Sequence, residues 1–478
     1  MWKKGYQIKS KYHLQKYLFE YKLNKKWRKN IKIKIISLLI YFLSIISLLI
    51  ASCNILFQLA NEPLNFDTFL KIILDNFGPI VTIVFLPIIL LKLYKFKVER
   101  EIKKQIENEN KYHFKKRDKN FPLDLDDLKL SPLMIENSYE KVYSPDRKNI
   151  ALCSPIINDL LIKCQIDNIP LIFQEKAEFK LDDIAEEILF LVLNKKLQDS
   201  EKKILFNDEK MRLLSDLTIK NLKEPNVINL QKTNYFQSVG TNEMTGKRII
   251  QKKRKFKNKE PFIFLNKFSF MAEKNIAFTE EKIKQLYDLE NSYCSNHIGV
   301  NTIAITNDKK IVIGEQTEHG QQAINQLAPS GSGSADYKDF KPINEENNFI
   351  QCILDATNRE LKEECNLKHL PHKTMLIGFT RLLNRGGKPD FFSISYLKDI
   401  SSEDIKKARI ARKEKPFVKK IMFEEIFDFN PIGITKALDN IYEKYKNRIS
   451  FALYLNIEIL RFALKEVNFR KSFFKSSY

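Results

Sequence analysis

The chain has 478 residues and a formal charge of +22, from 81 Lys and Arg against 59 Asp and Glu. That length allows roughly two to four domains; a hydrophobic content of 44% excludes a wholly disordered chain, and 29% charged residues excludes a many-span transporter. Lys far outnumbers Arg, as in a chain biased toward Lys, Ile and Asn, so the charge alone does not imply a nucleic-acid partner and none of defined sequence is expected.

Residues 1–34 form a basic N-terminus, with Glu20 its only acid. Residues 35–59 are almost wholly apolar, and residues 77–91 form a second apolar run containing Pro79 and Pro87. A helix needs about 20 such residues to cross the hydrocarbon core, and prolines are tolerated there. A cleaved signal peptide is excluded, because the preceding basic region is too long and has no small-x-small cleavage site. Lys92, Lys95, Lys97 and Arg100 follow the second run, while the connecting segment carries Glu62, Asp67 and Asp75 against Lys71. The positive-inside rule then predicts a two-helix transmembrane hairpin over 35–97 with both termini cytoplasmic and the lipid bilayer as a partner. Residues 98–120 read as a charged juxtamembrane stalk.

Residues 121–290 read as a middle α/β region. Residues 182–196 carry an amphipathic helical pattern and 227–230 a strand pattern. The basic run 247–259 meets either phosphates or solvent. Residues 278–293 open with Thr279 followed by Glu280, a helix start. The six cysteines form no CxxC pair and fit neither a disulfide framework nor a zinc site, so they read as free thiols.

From His297 the pattern changes. Residues 297–306 and 310–316 are β-rich runs around a polar turn at 307–309, which predicts a hairpin. Residues 330–334, Ser-Gly-Ser-Gly-Ser, predict a flexible loop that lets backbone approach a ligand. Residues 348–367 predict a helix, and 374–382 and 391–397 predict strands around a turn at 384–387. Glu360, Glu363 and Glu364 stand at i, i+3 and i+4 and share a helical face. Three crowded carboxylates repel unless neutralised, and a hard divalent cation such as Mg²⁺ does so. Arg359 lies four residues before Glu363, within reach of its carboxylate. A diphosphate on that cation would have its phosphorus polarised for attack by water. Arg381, Arg385 and Lys388 either contact ligand phosphates or are exposed turn residues. His297, His369 and His372 have no partner at ligand spacing and read as incidental. The tail, 401–478, carries helical patterns over 402–427 and 434–467, with Phe451, Leu455, Ile459 and Phe462 as a core or oligomer stripe.

The segment Arg359-Glu360-Leu361-Lys362-Glu363-Glu364-Cys365-Asn366-Leu367, set between these strands, resembles the signature helix of the Nudix superfamily, REUxEExGU, where U is a bulky aliphatic residue. The resemblance covers about residues 295–400. It implies Glu360, Glu363 and Glu364 as metal ligands, with Arg359, Glu363 and Glu364 as the catalytic set. Gln351 stands where the family has an upstream Glu, Glu345 where it has a leading Gly, and Asn366 where it has a Gly. Asn also tolerates the left-handed conformation.

The expected fold is a membrane-anchored α+β protein: two transmembrane helices, the α/β middle region, a Nudix-like α/β/α sandwich over 291–400 and a helical tail. That architecture resembles the two-span Nudix effectors of bacterial anti-phage systems that signal with cyclic nucleotides. The resemblance implies an inner-membrane homo-oligomer. Its cytoplasmic domain would bind a nucleotide or cyclic oligonucleotide through Gly331, Gly333, Ser334, Arg381 and Arg385, and the assembled helices would disrupt the bilayer. The alternative is a membrane-tethered, Mg²⁺-dependent pyrophosphohydrolase of nucleoside diphosphate-linked compounds.

Overall fold

The computed structural model describes residues 125 and 128–475 nearly throughout, leaving out 199–204, 225–226, 252–261, 265–269, 275–280, 318–324, 341–347, 409 and 411–417. Of residues 1–124 it describes 6–8, 52–58, 112–114 and isolated positions. The chain divides into two compact units, residues 1–2 with 10–111 and residues 3–9 with 112–478.

The expected membrane hairpin is corrected. Among the described residues no helix is long and apolar enough to cross a membrane. Of the first apolar run, 35–59, the structure describes residues 52–58 and isolated positions before them, all helical. The second run, 77–91, lies outside the described residues. The transmembrane fold class, and the multi-pass inner-membrane placement with cytoplasmic termini that followed from it, are therefore not carried by the structure.

The second unit is built on one mixed sheet of nine strands. It begins with β1 (Glu140–Tyr143) and β2 (Ile150–Cys153), an antiparallel hairpin, and the helix α1 (Pro155–Ile166). Ser154 caps α1 by accepting from the Ile157 N–H, and Pro155 sits at the first turn, where its missing N–H costs nothing. A smaller sheet holds β3 (Phe173–Lys176), β4 (Glu209–Leu213) and β5 (Ile228–Asn234), with α2 (Asp183–Gln198) between the first two in sequence. The patterns at 182–196 and 227–230 thus appear as expected. The helix expected over 278–293 does not: Glu281–Leu286 is a strand paired antiparallel with Phe270–Lys274. Ile283, Leu286 and Tyr287 keep helical spacing, and the antiparallel partner Phe270–Lys274 overrides it.

The main sheet continues with β6 (Gly299–Thr306), β7 (Lys310–Gln316), β8 (Leu327–Ala328) and β9 (Gly331–Ser334). Helix α3 (Phe349–Glu364) follows, then β10 (Lys373–Leu382), β11 (Lys388–Leu397) and β12 (Val418–Glu425). The order across the sheet is β8-β7-β6-β11-β10-β2-β1, with β9 also on β6 and β12 also on β7. β6 and β11 run parallel, and the connection between them carries α3. The predicted hairpin and the two later strands are therefore present, but the sheet also takes strands from 140–153 and 418–425, outside 291–400. The Gly/Ser segment is not a loop. It is a strand paired along β6 from Gly299–Ser334 to Thr302–Gly331.

The faces of the sheet are set by alternation. Ile303, Ile305, Ile311 and Ile313 point into a core with helices α4 (Pro431–Tyr445), α5 (Phe451–Ala463) and α6 (Val467–Lys475). Ala304 and Val312, one step out of phase, meet Leu361 and Cys365 of α3 and its end on the other face. In the tail, the helix expected over 402–427 is split into a short helix, Ser402–Ala408, and β12, which completes the β7 edge. The stripe on α5 is core at Leu455 and Ile459 and half-buried at Phe451 and Phe462.

Arg381 locks β10 to the chain between β4 and β6. Its side chain is wholly buried; Nη1 donates to Asp216 at 2.8 Å, Nε to the Gly387 carbonyl at 3.0 Å and Nη2 to the Tyr287 carbonyl at 3.0 Å. Asp216 also accepts from the Leu289 N–H at 2.6 Å. Cutting one member of a buried pair leaves the other charge uncompensated, at a cost of about 3–5 kcal/mol. Arg381→Met is therefore expected to lower unfolding free energy by about that amount in urea denaturation; a loss below about 1 kcal/mol would show that the pair does not lock the fold.

Candidate functional site

A cleft of about 1150 Å³ opens in the second unit. One wall is the C-terminal half of α3 with β9; the other is formed by the start of β6, the turn before β11 and β4. Asn348 starts α3 by accepting from the Ile350 and Gln351 N–H groups. The helix then presents Phe349, Ile353, Ala356 and Leu361 to the core and its three glutamates to the cleft. It ends at Asn366, which has φ 50°, so the left-handed conformation expected of it is adopted, and its side chain donates to the Ala408 carbonyl at 2.8 Å.

Glycine is required where β9 meets α3. A Cβ on Gly331 would lie 2.6 Å from the Leu361 backbone, and one on Gly333 would overlap the Glu360 carboxylate. Gly333 and Ser334 line the cleft; Gly331 is buried beneath the helix and serves packing. This is the physical reason that the Gly/Ser run is a strand: its small residues let α3 lie directly on it.

Arg359 organises the acidic wall. It donates to Asp339 through Nε at 3.0 Å and Nη2 at 2.9 Å, to Glu360 at 2.9 Å and to the Ser334 carbonyl at 3.1 Å. The predicted Arg359–Glu363 contact exists at 3.6 Å and is the looser one. Glu364 is buried and accepts from the Ser332 N–H at 3.1 Å. The three glutamates thus share the cleft as expected, but among the described residues no three His, Cys, Asp or Glu side chains form a group that could hold a metal ion. Glu360 and Glu363 turn to Arg359 and Glu364 to a backbone amide, and no step is derived through a cation. Gln351 lies exposed at the far end of α3, donating to Asp355 at 2.9 Å, and Glu345 lies outside the described residues.

The cleft also carries cations. Lys388 is buried and paired with Asp390; Lys210 pairs with Asp336 at 2.5 Å; Arg385 lies 3.9 Å from Glu243. Burial pushes the Lys388 ammonium down to about 8, against the pull of Asp390. Burial pushes the Asp336 carboxyl up, but Lys210 and Arg359 outweigh it and hold the group below the ordinary range. Arg385 and Lys388, named from the sequence, reach the cleft; Arg381 does not and is a structural lock.

His297 is the residue that sequence reasoning missed. It lines the cleft at 3% exposure, and its Nδ1 is buried without a hydrogen-bond partner. Burial, then Lys388, Arg385 and Lys210, hold its pKa well below 6.5, so the ring is neutral at pH 7. Its strand neighbours gave no signal, because Lys210 and Lys388 come from β4 and β11, far away in sequence. His369 and His372 do not line the cleft.

No protein-family model matches the chain, and no curated protein matches it. Among solved structures, it is similar to the crystal structure of DR0079 from Deinococcus radiodurans, at 11% identity and a TM-score of 0.23, over 34% of this chain and 82% of that one. A TM-score that low carries no argument.

A histidine kept neutral in the fold but free to protonate when unfolded makes the unfolded state bind more protons at acid pH. Stability is then full above about 6.5 and falls as pH drops below it, by about 1 kcal/mol between pH 7 and 5.5. His297→Gln is expected to flatten that slope in denaturation titrations. An unchanged slope would show that His297 does not carry it.

Proposed function

We propose that the cleft is a receptor site for a nucleotide, and that the Nudix-like domain around it binds this ligand rather than cleaves it. The observation that carries the reading is the unpartnered, buried Nδ1 of His297, set among Lys210, Arg385 and Lys388 in the cleft. A buried polar atom without a partner costs about 1–3 kcal/mol, and a ligand that bonds to it recovers that cost. A neutral imidazole beside three cations suits the phosphate and sugar oxygens of a nucleotide. The volume lies above the 300–1,000 Å³ common for small-molecule sites, which favours a dinucleotide or cyclic oligonucleotide over a small metabolite. Binding without cleavage is supported by Gln351 in place of the family's Glu, and by Arg359 holding Glu360 and Glu363.

One observation favours a second reading, Mg²⁺-dependent pyrophosphate hydrolysis: Glu360, Glu363 and Glu364 all line this cleft.

The full chain, incubated with Mg²⁺ and a panel of linear and cyclic nucleotides, separates the two readings when bound and free pools are analysed by mass spectrometry. Recovery of an intact nucleotide is expected. Arg385→Ala should weaken its binding tenfold or more, as for loss of a charge-assisted hydrogen bond worth about 1.5–3 kcal/mol. Conversion to phosphorylated fragments that stops in Glu363→Gln would replace the receptor reading with the hydrolase. A panel with no bound member would overturn both.

A further inference from the structure

The cleft does not end at the phosphate-compatible wall. It extends to the junction of α4 and α5 in the C-terminal tail, where Tyr442, Asn447, Ser450 and Phe451 line it. Phe451 and Tyr442 are half-buried, and both rest on Tyr454. The Phe451 and Tyr454 rings are stacked, with centroids 6.1–6.4 Å apart across the cluster and only 14° between these two planes. The Arg461 guanidinium lies 5.8 Å over the Tyr442 ring and is paired with Glu458 and Asp439.

The segment between the helices is fixed. The Leu327 N–H donates to the Arg448 carbonyl at 2.7 Å, and the Ser450 N–H donates back to the Leu327 carbonyl at 2.8 Å. Ser450 also caps α5 through the Leu453 N–H at 3.2 Å. Both helix ends are thus tied to β8, the edge strand of the main sheet. Aromatic faces held this way lose little freedom when a planar ring stacks on them.

We infer that Tyr442 and Phe451 form a stacking subsite for a nucleobase, with Asn447 beside it to hydrogen-bond a base edge. The inference rests on the nucleotide reading above and adds where the base lies. Two features point to a base rather than to an apolar group. The shelf carries an amide side chain among its aromatics, and it shares one cavity with the cationic wall, so one ligand spans both. The subsite belongs to α4 and α5, which lie beyond residues 291–400, so the tail becomes part of the receptor.

The test compares the full chain with Tyr442→Ala, Phe451→Leu and Asn447→Ala, using the nucleotide recovered from the panel and, separately, inorganic pyrophosphate. Base–aromatic stacking losses correspond to about five- to a hundredfold in affinity. Tyr442→Ala and Phe451→Leu are expected to weaken the nucleotide by that factor and leave pyrophosphate affinity within twofold. Phe451→Leu keeps the packing apolar, and an unchanged melting temperature separates lost stacking from lost folding. Equal affinity of wild type and all three variants for the nucleotide would overturn the subsite and leave the receptor standing. Parallel losses for nucleotide and pyrophosphate would overturn it too, by showing a general effect on the cleft. A wild type that binds neither probe would overturn the receptor reading and the subsite with it.

Discussion

The cleft depends on Arg359. One guanidinium is shared by Asp339, Glu360 and the Ser334 carbonyl, with Glu363 and Asp336 within 4 Å. It stands between elements that would otherwise repel: a helix end carrying three glutamates and a turn carrying two aspartates. A planar donor with five N–H groups can serve several oxygens at once, which a lysine at the same place could not do in that geometry. Asp339 in turn accepts from the Asp336 N–H at 2.8 Å, so the turn after β9 is held by the same charge. Through that turn the constraint reaches Lys210 on β4, and so joins the small sheet to the main one.

What the sequence made legible is what local pattern decides. The hairpin β6–β7, helix α3 and strands β10 and β11 are legible within a few residues, because their apolar periods are strong and their ends carry turn or cap residues such as Asn307, Asn348 and Gly386. The shared face of Glu360, Glu363 and Glu364 follows from helical spacing alone. The contact of Arg359 with Glu363 was also legible, though not that Asp339 and Glu360 would hold it more closely. Asp339 comes from a turn twenty residues upstream, and nothing in helical spacing announces it.

What failed was decided by partners distant in sequence. The Gly/Ser run looks like a loop until α3 is laid on it, when its lack of side chains becomes the condition for a strand. The strand at Val418–Glu425 forms because β7 offers an unpaired edge. Arg381 reads as a phosphate ligand because it is a basic residue after α3, but Asp216, 165 positions away, claims it. His297 looked incidental because its cationic neighbours lie on other strands. The apolar runs near the N-terminus have the composition of membrane spans, yet among the described residues no helix is long and apolar enough to cross a membrane.

The charges that line the cleft bear on how a ligand would be held. Eight Asp and Glu side chains face six Lys and Arg, so a chain of +22 encloses a cavity with no net positive charge. Long-range attraction of a polyanion from solution is therefore weak here, and the overall basicity of the chain does not explain binding. The cations are instead spoken for, Lys388 by Asp390 and Lys210 by Asp336. A phosphate that approached them would have to share them with carboxylates already in place, and would gain less from each than from a free lysine. Specific contacts then have to supply the affinity: the open nitrogen of His297, the guanidinium of Arg385 and the aromatic shelf at Tyr442 and Phe451. A site of that kind discriminates by shape and hydrogen bonding more than by charge, because phosphate alone satisfies only part of it. The proposed receptor for one particular nucleotide would need such a site, and a sink for anions would not.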